Sequence, residues 1–174
     1  MGYLLASPVR RLWQDPASIV APYVREGMTV FEPGPGMGFF TLELARRVGA
    51  SGRVVVVDVQ PEMLDRLKRR LAKAGLLERV DVRAAPAHSM GIADLAETID
   101  LVFAFAVVHE FPSARTFFLE AAESLKPGGR MLLAEPAGHV TSAQFESELA
   151  DAARANLHPV DRPVIRRSRA ALLQ

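Results

Sequence analysis

Two rhythms of apolar and polar positions alternate along the chain. Short runs rich in β-branched residues, "MTVFE" (28–32), "RVVVVD" (53–58), "RVDVRA" (79–84), "IDLVFAFAVV" (99–108) and "RMLLAE" (130–135), predict strands. Most are apolar on both faces, which is the pattern of a parallel sheet covered on both sides. Between them lie amphipathic segments with legible ends. "GFFTLELARRVG" stops at Gly49, and "PEMLDRLKRRLAKAG" carries Pro61 in its first turn and stops at Gly75. "SARTFFLEAAESLKPGG" starts at Ser113, lines up Ala114, Phe117, Phe118, Ala121, Ala122 and Leu125, and halts before Pro127. Strand and helix alternate through residue 135, so the expected architecture is α/β and doubly wound, with right-handed crossovers and helices on both faces.

The last forty residues change style. "TSAQFESELADAARAN" predicts one more helix, with Thr141 and Gln144 spaced as a capping box. "LHPVDRPVI" and "RSRAALLQ" then predict a closing hairpin. Its first strand holds Pro159 and Pro163, and proline is tolerated at a sheet edge, so residues 157–165 should form the edge with the last strand inside it.

Length and composition narrow the class. At 174 residues and 49% hydrophobic, the chain has enough material for one core, and we expect a single domain over 1–174. Within it, 1–15 is a candidate N-terminal lid carrying Tyr3, Leu4, Leu5 and Trp13, 16–135 a ligand-binding core, and 136–174 the C-terminal helix and hairpin. The 21 basic and 20 acidic residues are scattered, so no broad field points to nucleic acid or anionic lipid. Cysteine is absent, which excludes disulfides, thiolate metal sites and a cysteine nucleophile. The longest apolar stretch, Leu101 to Val108, is too short to span a bilayer, and "MGYLLASPVRR" lacks a signal-peptide pattern; a cytoplasmic protein without a membrane partner is expected.

Candidate chemistry enters with "VFEPGPGMGFF" (30–40), where glycines stand at 34, 36 and 38 directly after a strand that holds Glu32. In an open parallel sheet, ligands sit beyond the carboxyl ends of the strands, where the order reverses. Gly34, Gly36 and Gly38 permit a sharp turn and a close approach to the main chain, and a helix beginning near Gly38 would offer N–H groups to an anion. The next strand ends in Asp58, twenty residues past Gly38, where a carboxylate can accept both hydroxyls of a ribose. A tight turn and a helix-capping acid would explain each feature alone; the pair at this spacing points to a nucleoside. A dinucleotide fingerprint would place its third glycine at 39, where this chain has Phe39.

The spacing E-x-G-x-G-x-G, continued by "VVVVDVQPEML", "DLVFAFAVVHEFP", "LKPGGRMLLAEP" and "SRAALL", resembles the class I S-adenosylmethionine-dependent methyltransferases over nearly the whole chain. The resemblance implies a Rossmann-like sheet of seven strands with the last antiparallel, and S-adenosylmethionine as cofactor. It implies that Gly34, Gly36 and Gly38 line the methionyl part, that Glu32 lies near its ammonium, that Asp58 holds the ribose and Val59 flanks the adenine, and that main chain near Phe105 helps at the amino-acid end. Many relatives also carry an Asp for the adenine amine; here the corresponding stretch is Ala85-Pro86-Ala87, with His88 after it, which predicts weaker cofactor binding than the family norm.

Methyl transfer from a sulfonium asks for alignment and exclusion of water, and for a base only when the nucleophile must lose a proton. Four titratable residues follow the fourth and fifth strands: His109, Glu110, Glu135 and His139. Each has a plainer reading, "HEFP" as a polar loop, Glu135 as an acid capping backbone and His139 as a solvated side chain, while either histidine could serve as base near neutral pH. No metal is expected, since "HEFPS" lacks the second histidine of H-E-x-x-H. The arginines of "RPVIRRSR" follow from an overall excess of 18 arginines over 3 lysines, so a nucleic-acid substrate is the lesser option. The leading expectation is methyl transfer to a small-molecule O, N or C nucleophile, in a pocket closed by residues 1–15 or by a second copy in a homodimer. A catalytically idle cofactor-binding module is the alternative, and an NAD-dependent oxidoreductase a distant third.

Overall fold

The computed structural model describes residues 14–174. The proposed lid segment therefore lies outside the described residues except for its last two positions. Of these, Asp15 caps a short helix, α1 (Pro16–Val20), by accepting from the backbone N–H groups of Ala17 and Ser18.

Seven strands form one sheet in the order β3-β2-β1-β4-β5-β7-β6. They are β1 (Thr29–Pro33), β2 (Arg53–Asp58), β3 (Val80–Ala84), β4 (Ile99–Phe105), β5 (Leu125–Pro136), β6 (Pro159–Asp161) and β7 (Ser168–Leu173). The helices between them are α2 (Thr41–Val48), α3 (Pro61–Lys73), α4 (Ala114–Ser124) and α5 (Ser142–Arg154). The chain falls into two compact units that divide between Ala85 and Pro86.

In the first unit β1, β2 and β3 run parallel, Phe31 opposite Val55 and Val56 opposite Val82. Val54, Val55 and Val56 are completely buried, as a run that alternates onto both faces of a covered strand must be. The amphipathic stripe of α2 buries Leu44, Ala45 and Val48, and that of α3 buries Leu64, Leu67 and Leu71.

In the second unit β4 and β5 are parallel, while β7 runs antiparallel to β5 and to β6. The hairpin order agrees with the sequence: β6 is the edge and β7 lies inside it, although β6 holds only three of the expected residues. Ser113 caps α4 through the N–H of Thr116, and Thr141 and Gln144 complete their capping box on α5.

Among the boundaries that differ from the sequence reading, three have a local reason. β4 ends at Phe105 instead of running to 108, because Ala106 takes φ +58° and turns the chain into a 3₁₀ turn, Val108–Glu110. α4 stops at Ser124, since Lys126 precedes Pro127 and proline disfavours helical geometry in the residue before it. The stretch from Leu125 joins β5 instead, with a shift of register between Ile99 and Leu101 on β4. α2 starts at Thr41, three residues later than expected, because the glycine loop closes on itself by a Gly38 N–H to Pro35 carbonyl bond of 2.9 Å.

Gly52 makes the turn into β2 in a space with no room for a side chain. A Cβ there would lie 2.5 Å from the Val48 carbonyl oxygen and 2.6 Å from that of Met28. Backbone cannot yield as a side chain does, so Gly52→Ala is expected to destabilise the protein by at least about 2 kcal/mol in urea unfolding.

Candidate active site

The first unit carries the glycine loop. Glu32, near the end of β1, is only 4% exposed, and its Oε2 accepts a 2.6 Å hydrogen bond from the hydroxyl of Thr41, the first residue of α2. A buried carboxylate thus ties the end of the strand to the start of the helix and fixes the span of the loop. Arg70 of α3 donates to the carbonyl of Met37 and holds the loop from the side.

The three glycines differ in what they do. All have positive φ, at +64° for Gly34, +53° for Gly36 and +81° for Gly38, a region that residues with a Cβ rarely occupy. A Cβ on Gly36 would meet nothing within 4 Å, so this position faces open space that a ligand can enter. A Cβ on Gly38 would lie 2.5 Å from Leu67 Cδ1 and 2.9 Å from Leu42 Cδ1, so that glycine serves the close packing of loop against helix. The tight approach that a dinucleotide fingerprint would assign to position 39 is made here one residue earlier.

At the end of β2, Asp58 is half-buried and its Oδ1 accepts from the Gln60 N–H at 2.9 Å, which fixes the carboxyl at the entry to α3. Val59, next along, is 57% exposed although apolar. The open space at Gly36, the held carboxyl of Asp58 and the uncovered Val59 are the features of this unit that a ligand could meet.

The second unit brings the other candidates together. Glu135, at the end of β5, is fully buried. Its Oε1 accepts from the backbone N–H groups of Val108 at 2.8 Å and Val107 at 3.3 Å, and its Oε2 pairs with Nδ1 of His109. The acid does cap backbone, as its plainer reading held, and it holds a histidine as well. An ionised carboxylate only accepts, so against such a partner Nδ1 is the donor, and a neutral ring then carries its lone pair on Nε2. The His109 side chain is 24% exposed, and its Nε2 lies 4.0 Å from Glu110 Oε1. The ring of His139, on the turn after β5, is centred 6.3 Å from that of His109.

Ala106, with φ +58°, is the hinge that makes this cluster possible. Its N–H reaches the Ala134 carbonyl at 2.7 Å, and the turn that follows aims two successive N–H groups at Glu135. Strained backbone of this kind accumulates at functional sites. Phe105 is buried and stacks on Phe103 at 6.0 Å, whereas Ala87 and His88 are exposed. Among the described residues no group of three or more histidine, aspartate or glutamate side chains is placed to hold a metal ion.

Sequence reasoning missed Thr41, Arg70 and Glu148. The last had a signal: it falls at a core position of α5, on one stripe with Phe145, Leu149 and Ala152. Burial first, and the charge of Glu135 second, push the Glu148 carboxyl up from an ordinary 4.5 to about 7.

A family model described as a methyltransferase domain matches residues 24–162. The ubiquinone/menaquinone biosynthesis C-methyltransferase UbiE of Klebsiella pneumoniae subsp. pneumoniae is 30% identical over 135 residues, which cover 78% of this chain and 53% of that protein. An arsenite methyltransferase of Halobacterium salinarum is 32% identical over 109 residues, 63% of this chain and 27% of that protein. In fold, a SAM-dependent methyltransferase from Aquifex aeolicus superposes with a TM-score of 0.85 over 99% of this chain and 97% of that one, at 24% identity. Fibrillarin of Aeropyrum pernix, solved with natively bound S-adenosyl-L-methionine, gives 0.69 at 18% identity over 98% of this chain and 74% of that one. The chain belongs to the class I S-adenosylmethionine-dependent methyltransferase family, whose methyl donor is S-adenosylmethionine. It spans about half the length of UbiE. Among the described residues no helix is long and apolar enough to cross a membrane.

The position of Glu148 has a consequence for stability. The unfolded chain gives up this proton near pH 4.5 and the folded one near 7. The folded state therefore binds more protons between those values, and stability falls as pH rises through them. The contribution is fully present below about pH 4.5, and the deficit levels off above about 7. Glu148→Gln removes the titration, so in urea unfolding its stability relative to wild type should rise by about 3 kcal/mol between pH 4 and pH 8.

Proposed function

We propose that this chain moves a methyl group from S-adenosylmethionine to a small-molecule acceptor by in-line displacement. The observation that carries the reading is the His109–Glu135 pair, a histidine bonded through Nδ1 to a fully buried carboxyl group. S-adenosylmethionine, when bound, supplies an electrophilic methyl group on a sulfonium. In this reading the main chain at Gly34, Gly36 and Gly38 receives the methionyl end, with Gly36 offering the open approach and Gly38 keeping the loop in place. Glu32 answers the ammonium, Asp58 accepts from the ribose hydroxyls, and Val59 covers one face of the adenine.

His109 then has the work of a general base. As the acceptor's lone pair takes the methyl group, the electrons of the breaking C–S bond stay on sulfur. The acceptor's proton passes to Nε2 of His109, and Glu135 stabilises the imidazolium through Nδ1. Glu110 and His139 stand beside His109 and orient the acceptor. Such a base is useful when the acceptor must lose a proton, as a phenolic hydroxyl or an acidic carbon must, and much less so for an amine that reacts through its lone pair. UbiE is a C-methyltransferase by name, and the absence of cysteine argues against thiol-dependent chemistry on arsenite. Within the O, N or C range, hydroxyl and carbon acceptors are favoured.

Two measurements test this. Calorimetric titration with S-adenosylmethionine and S-adenosylhomocysteine should show binding that weakens by about 10-fold or more in Asp58→Ala, the loss of a charge-assisted hydrogen bond. Release of S-adenosylhomocysteine across a panel of phenols, hydroquinones and amines should favour the first two classes. His109→Gln should lower kcat by about 100-fold with the cofactor affinity unchanged. Cofactor binding with no turnover of any acceptor would instead favour a binding module that works through a partner.

A further inference from the structure

A cavity of about 320 Å³ lies in the second unit, between the start of α5 and the chain that leads from β6 into β7. That is the size of a small-molecule pocket. Its wall is partly apolar, with Phe145, Pro163 and Val164, the last of which leaves its whole side chain exposed. Its charged residues are Arg162, Glu146 and Arg169.

The two arginines are not equivalent. Arg162 grips both oxygens of Glu146, at 2.6 and 3.1 Å, so these two charges cancel. Arg169 donates from Nε to the Ser142 hydroxyl at 3.2 Å and from Nη1 to the Ala137 carbonyl at 3.1 Å, both neutral acceptors. Among the described residues no carboxylate pairs with it. The two bonds fix the plane of the guanidinium and leave Nη2 to donate elsewhere. The cavity thus keeps one positive charge without a counter-ion.

The sheet ties this cation to the candidate active site. Arg169 stands opposite Glu135 in the β5–β7 ladder, and directly opposed residues of an antiparallel pair project from the same face with Cβ atoms about 5 Å apart. Glu135 does not neutralise it, because its oxygens accept from Val107, Val108 and His109. The carbonyl that Arg169 holds belongs to the turn carrying His139, whose ring is centred 6.3 Å from that of His109. Arg169 therefore lines the cavity and also borders the strand ends that carry the histidines.

We propose that Arg169 selects the acceptor by binding a carboxylate on it, so that the preferred acceptor is a hydroxyaryl carboxylic acid. The carboxylate sits on the guanidinium, the hydroxyl-bearing part of the ring reaches towards His109, and the cavity leaves room for an apolar substituent against Phe145, Pro163 and Val164. A guanidinium with a free N–H makes charge-assisted bonds to such a group, and the carboxylate takes no part in the transfer itself. The inference rests on the methyl-transfer reading above, which makes the bound acid an acceptor.

The experiment is calorimetric titration of the full chain, with S-adenosylhomocysteine present, against 4-hydroxybenzoate and 4-hydroxybenzamide, which differ in charge and hardly in shape. Wild type should bind the carboxylate at least about 10-fold more tightly, the worth of one charge-assisted hydrogen bond. In Arg169→Gln that preference should vanish while the amide binds as before, and Arg169→Lys, which keeps the charge but not the fork, should restore part of it. Equal affinity for the two probes in wild type, binding of neither, or a preference that survives in Arg169→Gln overturns the proposal. Weakening of both probes alike in that variant marks a structural role and overturns it too. The wild-type comparison stands even if neither variant folds. Failure of the underlying reading is separate and shows as no methyl transfer to any acceptor while the carboxylate preference persists.

Discussion

A fully buried carboxylate has to be surrounded by donors, and the second unit of this protein is arranged around that requirement at Glu135. Two of its donors are backbone N–H groups from Val107 and Val108, which become available only because the chain leaves the extended conformation at Ala106. The third is His109. Strand end, reversed backbone angle and 3₁₀ turn are thus a single solution to the solvation of one side chain. The geometry of the histidine is a product of that solution. The same economy is seen in the first unit at Glu32, where a buried acid and the hydroxyl of Thr41 join strand to helix.

The division of labour among the loop glycines has the same physical flavour. Three identical residues in a regular spacing look interchangeable, yet the surroundings of two of them differ. Gly36 is defined by empty space and Gly38 by two leucine methyl groups within 3 Å of where its side chain would be. Their common feature is a positive φ, so the spacing records a backbone path while the contacts record its purpose.

Much of the fold was legible because its signals are local. Valine runs marked buried strands, Ser113 and Thr141 marked helix starts, and Pro159 marked an edge, since each depends on residues only a few positions away. The boundaries that moved were decided at a distance or by backbone angle. Nothing in "FAFAVVHE" shows that Ala106 will turn, because alanine seldom adopts such an angle and does so here for the sake of Glu135. The candidate residues after β4 and β5 were legible as a group, but their partners were not: sequence order alone cannot pair His109 with an acid 26 positions away. Glu148 interrupted an apolar stripe visibly, and only the environment inside the fold shows why that position is unusual.

The edge strand β6 is three residues long, begins with a proline, and meets β7 with an irregular register between Pro159 and Asp161. Sheets grow by templating: a long, straight, unblocked edge invites the backbone of another molecule to continue its hydrogen-bonding row. Here β6 offers a row only three residues long. Exposed Val160 and Val164 lie alongside it, and on a longer edge they would favour the stacking of molecules into fibrils. On this side of the sheet the exposed Val160 and Val164 are thus carried by a strip too short to template a long strand.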